Sequence, residues 1–430
     1  MATTYLAWNS YVEWRVFPSN RADREIAQRF HTLEMRLLLT TAYFTSYSHH
    51  RVAVSSFITN HYSPVRRLMS TTTRKSPPLY RTESLMKMSS STEDLVDVDC
   101  NLLHKDLISM MMENSSLDVA NNNNIQDPFK ILHHPSTRSI IKAMISPSST
   151  IKESEQSVHL LQNCTSSDRN NIRIKTTVGV HPYHSEEEAL TPENLDILRS
   201  MLKNDANNNN NDIIGSIGET GLDYSEGFPD KQFQIPWFQS QLDLAFEFGL
   251  PIFLHERLAF QDTLKCIDEA VERHHQGQQQ QQQATIPKII VHCYTGTFSE
   301  CMEYMKRGYY ISVSGYILKP DSEEVRKCLR EGIIPLDRLM IETDAPYMGF
   351  AGNKDSFFEA EGDSFTSLPS KKRKRLLKSQ YPNVPSSLHR VLEETCKQIN
   401  LGRKERHEEM ISLDQLAAST TRVATDFFQL

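Results

Sequence analysis

Three histidines and two carboxylates carry the most specific chemistry in this 430-residue chain. His181, Glu219, His255, His292 and Asp344 each close a short, largely β-branched run. Imidazole nitrogen and carboxylate oxygen together make the donor set of a divalent-metal site. One histidine after one strand is more often a hydrogen-bonded structural residue. Five such groups at the ends of five strands point instead to a shared centre, provided the strand ends converge.

A repeated unit makes them converge: a short apolar run, a polar residue or turn, then a helical pattern. The runs span 95–102, 139–145, 173–180, 212–218, 250–254, 288–291, 309–315 and 338–343. Helical patterns are expected at 152–161, 192–203, 231–248, 260–273, 298–307, 322–331, 386–399 and 412–428, while 104–124 is Met-rich without a clean period. Strict alternation of strand and helix calls for a parallel sheet, and eight units suggest a closed (β/α)8 TIM barrel. In that fold the C-terminal strand ends share one face and carry the chemistry.

Composition bounds the rest. Charges nearly cancel, 47 Lys+Arg against 54 Asp+Glu, which excludes a nucleic-acid binder relying on bulk positive charge and leaves only local contacts. The hydrophobic fraction of 38% falls below the usual ~45–50%, so polar padding dilutes a folded core. Asn121–Asn124, Asn207–Asn211 and Gln278–Gln283 account for much of it. The last two tracts fall between a helical pattern and the next strand, where lengthening the chain costs little. No apolar run reaches transmembrane length, so no membrane contact is expected. Seven cysteines without a Cys-x-x-Cys pair fit a reducing intracellular compartment.

Residues 1–92 read as a separate, disordered N-terminal extension, with the barrel domain at 93–430. From 35 to 92 there are eight Lys/Arg against the single acid Glu83, among many Ser and Thr. That composition suits a mitochondrial or plastid transit segment, or an ordinary tail on a cytosolic or nuclear protein.

The strand-end residues lie in motifs that resemble the TatD family of metal-dependent deoxyribonucleases. These are Val-Gly-Val-His-Pro ending at Pro182, Ile-Gly-Glu-Thr-Gly-Leu-Asp ending at Asp223, Phe-Leu-His-Glu-Arg ending at Arg257, Val-His-Cys-Tyr-Thr-Gly ending at Gly296, and Ile-Glu-Thr-Asp-Ala-Pro-Tyr ending at Tyr347. A later Pro-Asn-Val-Pro places Val384 where the family usually has Glu. The resemblance implies a metal-dependent TIM-barrel hydrolase that acts on DNA as a 3′-5′ exonuclease, on single strands or 3′ ends. Many members open with Asp-x-His-x-His; here the stretch is Asp97-Val-Asp99-Cys-Asn101, without either His. The nuclease-type branch shows a similar loss.

By that resemblance Glu219 bridges two metal positions, His255 and His292 complete one, and Asp344 joins Asp99 and Asn101 at the other. Oxygen and amide donors at the second position favour Mg2+ or Mn2+ over Zn2+ and weaker binding. One firm site and one weaker site are expected. Asp344 is the candidate to orient or deprotonate water, with Glu219 as the second catalytic carboxylate. His181 is expected at a metal or a phosphate, and the Arg257 guanidinium suits a phosphate oxygen or an ion pair with Glu256. Asp223 is expected to support a ligand or cap a helix. Cys293 is expected to pack against helices, since neighbouring strand residues face opposite ways.

Lys371 to Arg375 form the one dense basic cluster, read as a loop on the active face that contacts phosphate, or as a nuclear import signal. Phe357, Phe358 and Phe365 could stack bases there. Two other functions compete: a metal-dependent amidohydrolase or esterase on a small or tRNA-linked substrate, and a non-catalytic nucleic-acid-binding relative.

Overall fold

The computed structural model describes residues 94–112, 127–207, 212–276 and 286–430. The expectations for the N-terminal extension fall outside these residues, as does nearly all of the Asn and Gln tracts. Eight parallel strands follow one another in sequence order: β1 (Leu95–Asp97), β2 (Ile141–Ser146), β3 (Arg173–Val178), β4 (Ile214–Asp223), β5 (Ile252–Arg257), β6 (Ile289–Val291), β7 (Tyr310–Val313) and β8 (Leu339–Ile341). Strands covered on both faces need apolar residues at nearly every position, and β6 and β8 are buried throughout.

The ends of the sheet meet just beyond β1 and β8. Val98 N donates to Ile341 O at 3.3 Å, Asp344 N to Asp99 O at 2.9 Å, and Asn101 N to Ala345 O at 2.8 Å. A buried carboxylate seals the seam: Asp97 accepts from Thr343 N at 2.8 Å and from Thr343 Oγ1 at 2.7 Å. The expected barrel therefore forms.

Around it run α1 (Lys105–Met112), α2 (Ile151–Asn163), α3 (Pro192–Ala206), α4 (Lys231–Phe248), α5 (Phe260–Gln276), α6 (Phe298–Lys306), α7 (Glu323–Arg330), α8 (Ser370–Lys378), α9 (Leu388–Glu405) and α10 (Leu413–Phe428). Their starts are written in the chain. Thr150, Thr191 and Asp230 cap α2, α3 and α4, while Thr297 with Glu300 and Ser412 with Gln415 form capping boxes at α6 and α10. In sequence, the last two polar tracts fall between α3 and β4 and between α5 and β6.

Two cores result. The outer faces of the strands pack on the helices. Inside the barrel, Val96, Ala143, Ile145, Phe253, Ile290 and Met340 pack on Phe427 and Phe428 of α10. That helix plugs the N-terminal end: Thr421 Oγ1 donates to Asp94 O, and the Tyr310 ring meets Phe427 at 4.9 Å. Phe253 spans from this plug to the opposite end, with its ring 6.2 Å from Phe428 and 4.7 Å from the His292 imidazole.

Two expectations change. The basic cluster is helical, because Lys, Arg and Leu are good helix formers and Pro369 sets the entry to α8. Phe357 and Phe358 are buried, stacked on His134 and Phe365 respectively, so they are packing residues and offer no face to a base. No helix among the described residues is long and apolar enough to cross a membrane.

Candidate metal centre

At the C-terminal mouth of the barrel lies a cavity of about 380 Å³, lined by Asn101, His181, Glu219, His255, Arg257, His292 and Asp344, with Tyr183, Phe228 and Tyr347 on its walls. Seven of the eight expected site residues thus meet in one place, drawn from six different strand ends. Asp99 is the exception.

Glu219 lies within β4, which runs four residues past the carboxylate to Asp223. Gly221 permits this: its φ is +143°, and a Cβ there would come 1.9 Å from His255 O. β4 and β5 can therefore approach closely enough to juxtapose their side chains. Asp223 then reaches back to His255, whose Nε2 donates to Oδ2 at 2.9 Å, while Oδ1 accepts from Ser225 N at 2.8 Å. Of the two roles expected of Asp223 the first, support of a ligand, is the one seen, while Asp230 caps the next helix instead. The first also determines the tautomer of His255: with its proton on Nε2, the ring turns the Nδ1 lone pair into the site.

His181 is held in the opposite sense. Tyr183 N donates to His181 Nδ1 at 3.1 Å, so the neutral ring carries its proton on Nε2. That nitrogen lies 3.1 Å from His255 Nδ1 and 3.6 Å from Glu219 Oε2. Burial, with His255 adding to it, keeps the ring neutral by pulling its pKa down to about 3. His181 therefore offers the cavity a hydrogen-bond donor and not a lone pair.

His292 faces two ways. Nε2 lies 3.3 Å from Glu219 Oε2 and 3.3 Å from His255 Nδ1, and Nδ1 lies 3.0 Å from Asp99 Oδ2 and 3.9 Å from Glu342 Oε1. Asp99 has no exposed surface and does not reach the cavity. The physical reason is height in the barrel. Asp97 ends β1 and belongs to the seam, Asp99 lies behind His292, and only Asn101 reaches the mouth. Glu342 lies just past the end of β8, two residues before Asp344. It accepts from Ser312 Oγ at 2.6 Å, and burial pushes its pKa up to about 8. Glu342 escaped the sequence reading, and Asp97 appeared there only as the first residue of the strand-one motif.

At the mouth, Asn101 Nδ2 donates to Asp99 Oδ1 and to Ala345 O, each at 3.2 Å, which leaves its Oδ1 as the free donor atom. Asp344 is 8% exposed, and burial outweighs the attraction of His292 to push its carboxyl up to about 7. Arg257 is exposed on the wall and forms no ion pair among the described residues; Glu256 is engaged by Tyr304 Oη and Ala259 N instead. Cys293 lines the cavity, contrary to expectation. Strand alternation has ended by then, because β6 stops at Val291 and Cys293 has φ +44°.

The donor set fits a cation. Glu219 Oε2, His255 Nδ1 and His292 Nε2 lie 3.3–4.0 Å apart, and donors at ~2.0–2.1 Å around a tetrahedral ion are separated by about 3.3 Å. Glu219 remains charged: burial opposes this, but His292, His181 and His255 hold its pKa down to about 2. Behind the site, His292 Nδ1, Asp99 Oδ2 and Glu342 Oε1 are buried without an aligned hydrogen-bond partner.

Residues 97–429 match the family described as TatD related DNase. The chain belongs to that family. It is therefore a metal-dependent hydrolase of the nuclease class, working with a divalent metal. It is similar to the 3′-5′ ssDNA/RNA exonuclease TatD of Enterobacter lignolyticus, 30% identical over 210 residues that make up 48% of this chain and 69% of that one. It is also similar to the enzyme of that name from Citrobacter rodentium, 34% identical over 176 residues, 40% of this chain and 57% of the other. Among solved structures, an uncharacterized amidohydrolase of Saccharomyces cerevisiae superposes with TM-score 0.57 at 20% identity, covering 78% of this chain and 99% of that one. A TatD family hydrolase of Entamoeba histolytica gives 0.54 at 22%, covering 78% and 97%. The last two likenesses establish the barrel alone.

Proposed function

We propose that this TatD-family hydrolase is a 3′-5′ exonuclease acting on single-stranded DNA. The observation that supports it most is the convergence of Glu219 Oε2, His255 Nδ1 and His292 Nε2 beneath a cleft with an unpaired Arg257 and aromatic walls. These three residues form the firm metal site. Asp344 and the Asn101 amide oxygen share Glu219 at a weaker, harder site, which favours Mg2+ or Mn2+. Asp99 acts through His292, as Asp223 does through His255.

A divalent cation bound here neutralises phosphate charge and acidifies water. Asp344 takes the proton of the attacking water, and solvent water protonates the departing 3′ oxygen. His181 Nε2–H and the Arg257 fork hold the non-bridging phosphate oxygens. Tyr183 and Tyr347, 54% and 46% exposed, flank the terminal bases, and stacking tolerates any base.

The test is digestion of a 5′-labelled single-stranded oligonucleotide with Mg2+ or Mn2+, comparing wild type with Glu219→Gln. Stepwise shortening from the 3′ end, lost in the variant and with chelator, is the expected outcome. No cleavage by folded, metal-loaded protein would overturn the reading in favour of an amidohydrolase or a binding-only protein. Shortening from the 5′ end would overturn the polarity alone.

A further inference from the structure

We propose that a second cavity, floored by Lys354 and walled by Lys372, is a phosphate subsite for the substrate strand at a distance from the reacting bond. This rests on the single-strand nuclease reading above. The cavity, of about 250 Å³, lies between α1, α8 and the segment at 379–382.

Lys354 is 3% exposed, yet it has no carboxylate partner among the described residues. Its Nζ meets only Tyr381 O, at 3.3 Å. An ammonium carries three donors and is strongly hydrated, so a buried one with a single carbonyl is under-satisfied. Burial alone lowers its pKa to about 8, and an arriving anion would raise it again. The one acid on the wall, Asp106, is engaged by Tyr381 Oη at 2.6 Å.

Two further observations select a nucleic-acid strand over a small anion. The first is continuity. Tyr347 lines the metal cleft and Tyr381 lines the second cavity; both rings are more than 40% exposed, and their centroids are 6.3 Å apart. The Asp106 bond steadies Tyr381, and His104 packs edge-on against Tyr347 at 5.3 Å. Two neighbouring exposed rings joining two cavities suit successive bases of one strand. The second is α8 itself. Its six Lys and Arg residues form no ion pair among the described residues, and Lys372 and Leu376, one turn apart, face the cavity. An unneutralised basic helix beside the cavity favours a polyanion.

The test measures binding in EDTA, on a Glu219→Gln background, by anisotropy of fluorescein-labelled dT2 and dT10 across a salt series. Lys354→Met and Lys372→Met should each weaken dT10 about tenfold. Each should also lower the slope of log affinity against log salt by ~0.7, with dT2 affinity unaltered. Unchanged dT10 affinity and slope in both variants would overturn the proposal. Equal losses on dT2 and dT10 would also overturn it, by placing the lysines at the reacting phosphate. Binding of inorganic phosphate that Lys354→Met abolishes, without any competition against dT10, would assign the cavity to a free anion and so overturn it. If Lys354→Met does not fold by circular dichroism, Lys372→Glu at the exposed position decides alone. Failure of the nuclease reading has a separate signature: wild type with Mn2+ leaves dT10 intact while the length-dependent losses persist.

Discussion

Asp223→Asn tests the central claim that a carboxylate chooses which nitrogen of His255 faces the metal. The Asp223 side chain is 1% exposed and accepts from His255 Nε2 at 2.9 Å. Asparagine keeps the shape and one acceptor for Ser225 N, but its amide nitrogen donates where the carboxylate accepted. The ring then favours the tautomer with its proton on Nδ1, aimed at Glu219 and His292. Loss of such an orienting partner costs about 10–100-fold in metal affinity, or roughly 1.4–2.7 kcal/mol. Calorimetric titration of Mn2+ into metal-free protein at pH 7.5 should show that rise in Kd, with kcat on an oligonucleotide falling in parallel. Melting in EDTA separates this from misfolding. Despite its burial, His255 and Ser225 hold Asp223 below the ordinary carboxylate range. Its stabilisation is therefore complete above pH ~4 and is lost only as pH falls through that lower folded value. At pH 7.5 a small loss of stability is expected. A Kd within twofold of wild type, with unchanged melting, would refute the tautomer argument.

Three other perturbations follow. Asp97→Ala leaves Thr343 N and Oγ1 without their acceptor in the barrel seam; urea unfolding should show a loss of roughly 2–4 kcal/mol, and a loss under ~0.5 kcal/mol would exclude a sealing role. In metal-free protein, burial raises Asp97 and Asp344 to about 7 and Glu342 to about 8, while His181 is lowered to about 3. The folded state binds protons that the unfolded acids release, so the melting temperature in EDTA should rise as pH falls from 8 to 6. His181 opposes this by one proton below about pH 6.5. Asp344→Asn should flatten that rise, and a flat or inverted wild-type profile would contradict it. Arg257→Lys, which keeps the charge but not the planar fork, should raise KM for oligonucleotides about tenfold without altering Mn2+ affinity; a change in metal affinity instead would place Arg257 at the donor set.

The sequence by itself determined the barrel, since alternating periods of about two and 3.6 residues are local signals. It determined the helix starts, because Thr150, Thr191, Asp230, Thr297 and Ser412 cap them through bonds spanning only a few residues. It also determined that His181, Glu219, His255, His292 and Asp344 share one mouth, because parallel strands of a barrel end on one face. Only the tertiary structure decided what each group presents there. Asp223 and the Tyr183 amide leave both rings protonated on Nε2, yet turn the Nδ1 lone pair of His255 and the Nε2–H of His181 into the cavity, through bonds to atoms that periodicity does not locate. Asp99 lies behind His292 and short of the cavity, since its depth depends on how the chain past β1 meets the chain past β8 across the seam. Cys293 enters the cavity because the chain leaves its strand at Val291. Residue type and period are written along the chain, whereas depth, tautomer and partner depend on contacts made by the folded backbone, 2 residues apart at His181, 32 at His255 and 246 across the seam.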